Sequence, residues 1–189
     1  MDKEIDAILR RTAAVHEALT AQSELIAKVG RRLSDVLAAG GRLYVMGNGG
    51  SAADSQHMAG ELVGRFLKDR TPLPCQAFTA DTSVLTALAN DYGVDEVFAK
   101  QVDAFVRPGD AVIGISTSGN SVNVNRALER ARQIGAITIG LCGRDGGEMA
   151  KKCDLAVTVP ADETPRIQEA HGTIIHILCG IIEKRFSAD

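Results

Sequence analysis

Five short apolar runs rich in β-branched residues punctuate this chain, and segments of helical periodicity separate most of them. The runs are RLYVMG (42–47), PCQAFTA (74–80), AVIGIST (111–117), AITIGLCG (136–143) and LAVTVP (155–160). Apolar stretches without polar alternation mark strands buried on both faces. Strands that alternate with helices take right-handed crossovers, which puts them in a parallel sheet covered on both sides. The pattern predicts an α/β fold: a three-layer sandwich around a five-stranded parallel sheet of the flavodoxin-like kind.

Two helical patterns precede the first strand. Ile5, Ile8, Leu9, Thr12, Val15 and Leu19 recur at helical spacing, as do Leu25, Val29, Leu33, Val36 and Leu37, until Gly40 and Gly41 end the run. TPRIQEAHGTIIHILCGIIEKRF (164–186) closes the chain as one long helix, with Thr164 expected as its cap and Pro165 in its first turn. This helix is apolar on too many sides for a surface position. It and the opening pair are expected to bury one another or a partner subunit. No repeat, low-complexity tract or linker interrupts the chain. Residues 1–189 therefore read as a single domain, with 1–40 as a helical extension that serves assembly.

Composition removes several function classes. The chain has 189 residues, 45% of them apolar, enough for one real core. A net charge of −3, with no Trp, two Tyr and five Phe, supports neither a basic nucleic-acid face nor a stacking platform. No run reaches the roughly 18 apolar residues that a membrane span needs. MDKEIDAILRR is too charged and periodic for a signal peptide. Cys75, Cys142, Cys153 and Cys179 show no Cys-x-x-Cys spacing, and three of them sit in apolar runs. They are expected to be reduced packing residues of a cytoplasmic protein.

In such a sheet, ligands bind beyond the carboxyl ends of the strands, where helix N-termini converge. Two strand ends have a fitting composition. In MGNGGSAAD, Gly47, Gly49 and Gly50 permit tight turns and close backbone approach, and Ser51 with Asp54 has capping-box spacing. In ISTSGNSVN, Ser116, Thr117, Ser118 and Ser121 set four hydroxyls around a glycine at a helix start, a cradle for a phosphate monoester. A single cap needs only one hydroxyl. GNGGSA also meets the dinucleotide fingerprint with alanine last. The acidic residue expected about 20 positions on is missing, since Asp81 lies 34 past Gly47.

His57 and Glu61 are four apart, hence on one side of a helix and about 6 Å apart along it. Such a pair is commonly a solvated contact, but this one begins shortly after a candidate ligand loop. On the last helix Gln168, His171 and His176 interrupt apolar surroundings, and buried polar groups must be satisfied or functional. Periodicity alone does not choose between His171 and its two neighbours.

GNGGSAADSQHMAGEL, ANDYG, GISTSGNS and RIQEAHGTIIHIL, in this order and over nearly the whole chain, resemble the phosphoheptose isomerases of the sugar isomerase (SIS) superfamily. The resemblance implies an aldose–ketose isomerase that converts sedoheptulose 7-phosphate to D-glycero-D-manno-heptose 7-phosphate through an enediol or enediolate. This would be the first step of nucleotide-activated heptose biosynthesis, for lipopolysaccharide or a surface-layer glycan. It implies Glu61 as base, His176 as acid, and one zinc per subunit on His57, Glu61, Gln168 and His176. It implies sugar contacts from Asn48, Gly49, Gly50, Ser51, Asn90, Asp91 and Gln168, and a phosphate held by Ser116, Thr117, Ser118 and Ser121. It further implies a homotetramer with sites at subunit interfaces. The alternative within the superfamily is a non-catalytic module that binds a replication initiator or senses sugar phosphates, which would not need the full acid–base set.

Overall fold

Each of the five apolar runs contains a strand in the computed structural model, which describes residues 1–187. The strands are β1 (Leu43–Gly47), β2 (Cys75–Ala77), β3 (Ala111–Ser116), β4 (Ile137–Gly143) and β5 (Leu155–Val159). The helices are α1 (Asp2–Leu19), α2 (Ser23–Ala38), α3 (Gly50–Val63), α4 (Thr82–Tyr92), α5 (Val97–Phe105), α6 (Val122–Ile134), α7 (Gly147–Lys152) and α8 (Thr164–Phe186). The strands pair in the order β2-β1-β3-β4-β5, every pair parallel, with Gly47 opposite Ile115 at the end of the β1–β3 ladder.

Alternate residues of β1, β3 and β4 feed two separate cores. Leu43, Val45, Ile113, Ile115, Ile139 and Leu141 pack under α2, α3 and α8. Tyr44, Met46, Val112 and Cys142 pack under α5, α6 and α7. That double burial is why the runs carry no polar alternation. The predicted three-layer α/β sandwich is therefore what the chain forms, with α1 and α2 ahead of the sheet. Both opening helices pack against α8 as expected. Ile5 and Leu9 of α1 and Ile177 of α8 nevertheless remain exposed.

Three local expectations are corrected. Thr164 is the first residue of α8 rather than its cap; Glu163 holds the cap position, and Pro165 follows within the first turn. Ser51 and Asp54 do not form a capping box, because Gly49, at φ +57°, takes the cap of α3 and draws Ser51 into the first helical turn. The second strand spans only 75–77 of the predicted 74–80. Pro74 precedes it at the sheet edge, where a proline removes no ladder bond, and Asp81 ends the following turn by capping α4 through the Val84 N–H. The four cysteines are free. Burial pushes the thiols of Cys153 and Cys179 up to about 12, as suits inert packing groups.

Candidate active site

The chain reverses its direction across the sheet between β1 and β3. β1 is followed by β2 on one side, while β3, β4 and β5 build outward on the other. A crevice at the carboxyl ends of strands opens at such a switch point. The two loops singled out by composition both lie there, one following Gly47 and one following Ser116.

The first loop needs its glycines for space. A Cβ on Gly47 would sit 2.7 Å from the Ser51 Cβ and 2.9 Å from the Ile115 carbonyl oxygen. A Cβ on Gly50 would meet the amide of Gln168 at 2.2 Å. Gln168 of α8 therefore lies directly against the start of α3. Asn48 reaches across the switch point: its side-chain amide and that of Asn123 donate to each other, at 2.9 and 3.0 Å. Asn123 was not among the residues assigned from sequence. Its signal was its place in ISTSGNSVN, two positions after the last serine.

The second loop gathers the hydroxyls. Ser116 Oγ and Ser121 Oγ are 2.9 Å apart, and Ser116 is buried. Ser121 is the N-cap residue of α6, yet its side chain makes no capping bond. Ser118 Oγ accepts from the Asn120 N–H, while Ser118 and Thr117 are half-buried. No acidic residue stands in the first turn of α3 or α6. Hydroxyls gathered at the start of α6, with no carboxylate in the first turn of α3 or α6, are suited to an anion.

The β4–α7 turn holds this loop from behind. Gly119, at φ +67°, sits so close to it that a Cβ would lie 2.0 Å from the Gly146 carbonyl oxygen. The Gly119 carbonyl accepts from the Met149 N–H at 3.0 Å, and Asn120 Oδ1 accepts from the Glu148 N–H at 3.1 Å.

α3 and α8 run side by side in the same direction, so Gln168 meets Gly50 and His176 meets His57. His57 Nε2 lies 3.0 Å from Glu61 Oε1 and 3.3 Å from His176 Nε2. One ligand atom from each of these three residues falls within 4.8 Å of the other two. Two imidazoles and a carboxylate are a zinc-type donor set, and a tetrahedral ion with bonds of about 2.0–2.1 Å separates its ligand atoms by about 3.3 Å. The cluster fits such an ion. The amide of Gln168 is at Gly50, seven residues and about 10 Å of helix before His57. Gln168 is thus placed at the loop end, away from the two histidines.

Other sequence candidates lie elsewhere. His171 is fully buried, its Nε2 donating to the Cys142 carbonyl at 3.1 Å, and burial pulls its pKa down to about 4. It is a neutral core residue. Asn90 and Asp91 are exposed at the end of α4, bonded to each other at 2.8 Å. That helix packs mainly on residues 94–96 and on α5. Asp54, one turn before His57, has a buried Oδ2 without a partner, and burial raises its pKa against the pull of His57. A surface cavity of about 680 Å³ at the opposite end of the sheet is lined by Lys28, Arg31, Arg32 and Arg132. Its carboxylates, Asp35 and Asp154, are engaged with Arg185 and Thr138.

Comparisons with known proteins show the family and the fold. The SIS domain family matches residues 8–143. The phosphoheptose isomerase of Geobacter sulfurreducens is 55% identical over 186 residues, 98% of each chain. That of Geotalea daltonii is 58% identical over 163 residues, covering 86% of this chain and 85% of its own. The structure of the Neisseria gonorrhoeae phosphoheptose isomerase superposes with a TM-score of 0.92 at 39% identity, covering 97% of this chain and 98% of its own.

Proposed function

The chain belongs to the phosphoheptose isomerases of the SIS-domain family, sugar-phosphate isomerases of heptose biosynthesis, and from that premise we propose the substrate and the residues of its reaction. The substrate is sedoheptulose 7-phosphate and the product D-glycero-D-manno-heptose 7-phosphate. Ser116, Thr117, Ser118 and Ser121 hold the phosphate. Asn48, Gly49, Gly50, Ser51 and Gln168 meet the sugar hydroxyls, with Asn90 and Asp91 completing the set once subunits assemble.

One observation carries this reading: the hydroxyl loop and the His57–Glu61–His176 cluster bracket α3. Its N-terminus lies at the switch point, and the cluster lies about two turns further along it. A seven-carbon sugar phosphorylated at one end and reacting at the other spans a comparable length.

Isomerisation moves the carbonyl from C2 to C1. Glu61 removes a proton from C1, the electron pair shifts through C1–C2 to the carbonyl oxygen, and an enediol or enediolate results. His176 donates a proton to the developing oxyanion, and reprotonation at C2 with loss of the O1 proton completes the aldose. Atoms and charge balance, since every proton removed is returned. Glu61 Oε1 faces His57 at 3.0 Å, which leaves Oε2 for the proton from carbon. His57, Glu61 and His176, with Gln168 as fourth ligand, would hold zinc, which when bound would supply positive charge to stabilise the oxyanion. For Gln168 to ligate, its side chain must swing from Gly50 or act on the site of a facing copy. The exposed Ile5, Leu9 and Ile177 support assembly into a homotetramer, in which such sharing would occur.

The test is turnover of sedoheptulose 7-phosphate by the purified protein, followed by NMR. The aldose product is expected. Binding of the ketose without turnover would instead support a sugar-phosphate-sensing module.

A further inference from the structure

Two buried charges outside the reacting set run through the base of the site. Arg70 and Glu183 face each other with side chains 0% and 4% exposed. A buried ion pair is costly to desolvate and is weak support for stability by itself, so where its hydrogen bonds go decides what it does. Arg70 Nε lies 3.6 Å from Glu183 Oε1 and has no hydrogen-bond partner. The guanidinium is aimed at backbone instead. It donates to the carbonyl oxygens of Glu61 (2.6 Å), Leu62 (2.8 Å) and Gly64 (3.2 Å). Glu61 and Leu62 lie in the last turn of α3, whose carbonyls lack helical partners, and Gly64 is its C-cap.

Glu183 works on the other side of the same turn. Its carboxylate accepts from the Phe66 N–H at 3.2 Å and the Leu67 N–H at 3.0 Å. The Phe66 ring is thereby laid along α8. It stacks on the His176 imidazole, with ring centres 5.6 Å apart and planes 30° from parallel. It also covers Gly180, where a Cβ would lie 3.6 Å from Phe66 Cε1. His176, Gly180 and Glu183 follow at i, i+4 and i+7, one face of the helix.

We propose that Arg70 and Glu183 are positioning residues for the acid–base cluster. Arg70 fixes the turn of α3 that bears Glu61, and Glu183 fixes the segment that holds Phe66 against His176. The pair thus sets the spacing of α3 and α8 on which the His57–Glu61–His176 geometry depends. The proposal rests on the reading of Glu61 and His176 as reacting groups.

The test is the double variant Arg70→Met/Glu183→Met beside Phe66→Leu, each read by Tm, by kcat and KM separately, and by zinc affinity in competition with a chelator. Exchanging both buried charges for apolar groups of similar volume leaves no stranded charge, whereas a single exchange does. Misplacement of catalytic groups by about 1 Å costs about 10²-fold, and loss of supporting contacts costs about 10–100-fold in metal affinity or activity. The double variant is expected to fold with a lowered Tm, because the backbone groups at the end of α3 lose these partners, and to keep the parent's KM while kcat and zinc affinity each fall at least tenfold. Parental kcat and zinc affinity in that folded variant would overturn the proposal. Should it not fold, Phe66→Leu touches neither charge and decides the matter: an unchanged kcat and zinc affinity refute the positioning of His176. If the parent protein does not isomerise the sugar phosphate, the functional reading fails, and the zinc arm alone still reports whether the pair organises the cluster.

Discussion

Replacing Gly119 by Ala probes the hydroxyl loop without touching any hydroxyl. Gly119 has φ +67°, a left-handed conformation that costs an L residue about 1–2 kcal/mol. The new Cβ would also lie 2.0 Å from the Gly146 oxygen, a backbone atom with no rotamer to escape into. Restoring ordinary contact separates the loop from the β4–α7 turn by more than 1 Å. Two bonds then stretch, Gly119 O to Met149 N–H and Asn120 Oδ1 to Glu148 N–H, each worth about 0.5–1.5 kcal/mol net. The sum is about 2–5 kcal/mol, divided between lost stability and a displaced phosphate cradle. Gly40→Ala is the control: it shares the positive φ, at +86°, but its Cβ would meet nothing within 4 Å. Urea unfolding should show Gly40→Ala down by about 1–2 kcal/mol with parental KM. Gly119→Ala should lose more and raise KM for the sugar phosphate at least tenfold. If the two variants lose equal stability and both keep the parental KM, the turn does not hold the loop and the argument is wrong.

Three further outcomes follow from the same geometry. Ser116→Ala with Ser121→Ala removes both partners of one hydrogen bond and so spares the fold, but it takes two bonds from the phosphate. At about 1.5–3 kcal/mol each, Kd for substrate should rise about 10²–10⁴-fold, and parental affinity for inorganic phosphate and substrate would place the phosphate site elsewhere. The native pKa of His171 is about 4 against 6.5 in an unfolded chain, so the native state favours the neutral ring. Its contribution is fully present above pH 6.5 and is lost as pH falls toward 4. The parent should therefore lose about 2–3 kcal/mol more than His171→Leu between pH 7 and 4.5, and parallel unfolding curves would contradict a buried neutral ring. Light scattering at micromolar concentration should report a tetramer, and a monomer would remove the shared site.

The sheet was legible because the strands buried on both faces carry apolar runs, while β2, Cys75–Ala77 with an exposed Gln76, is the weakest of them. The switch point was legible because only two strand ends carry glycines and hydroxyls. Helix caps were less so. Gly49 took the position that Ser51 suggested, since a glycine at positive φ competes with any serine two residues on. On α8, His171 and His176 looked alike because the helix is apolar on several sides. The fold separates them: Ile167, Ile174 and Leu178 bury the face of His171, while His176 sits beside exposed Ile177. Arg70 and Glu183 lie 113 residues apart and Asn48 and Asn123 75 apart, and no local spacing announces such pairs. Asn90 and Asp91 entered only through the resemblance, and within one protomer they stay with α4 and α5.

The central claim is that Glu61 takes a proton from the carbon next to the ketose carbonyl. Exchange of the C1 proton of sedoheptulose 7-phosphate with deuterated water, followed by NMR, reads that step apart from product formation. Glu61→Gln is nearly isosteric, so the variant should fold and bind, yet Gln accepts no proton from carbon. Exchange should fall about 10²–10⁴-fold, the usual contribution of a positioned base. Exchange at the parental rate in Glu61→Gln would remove Glu61 as the base and, with it, the mechanism.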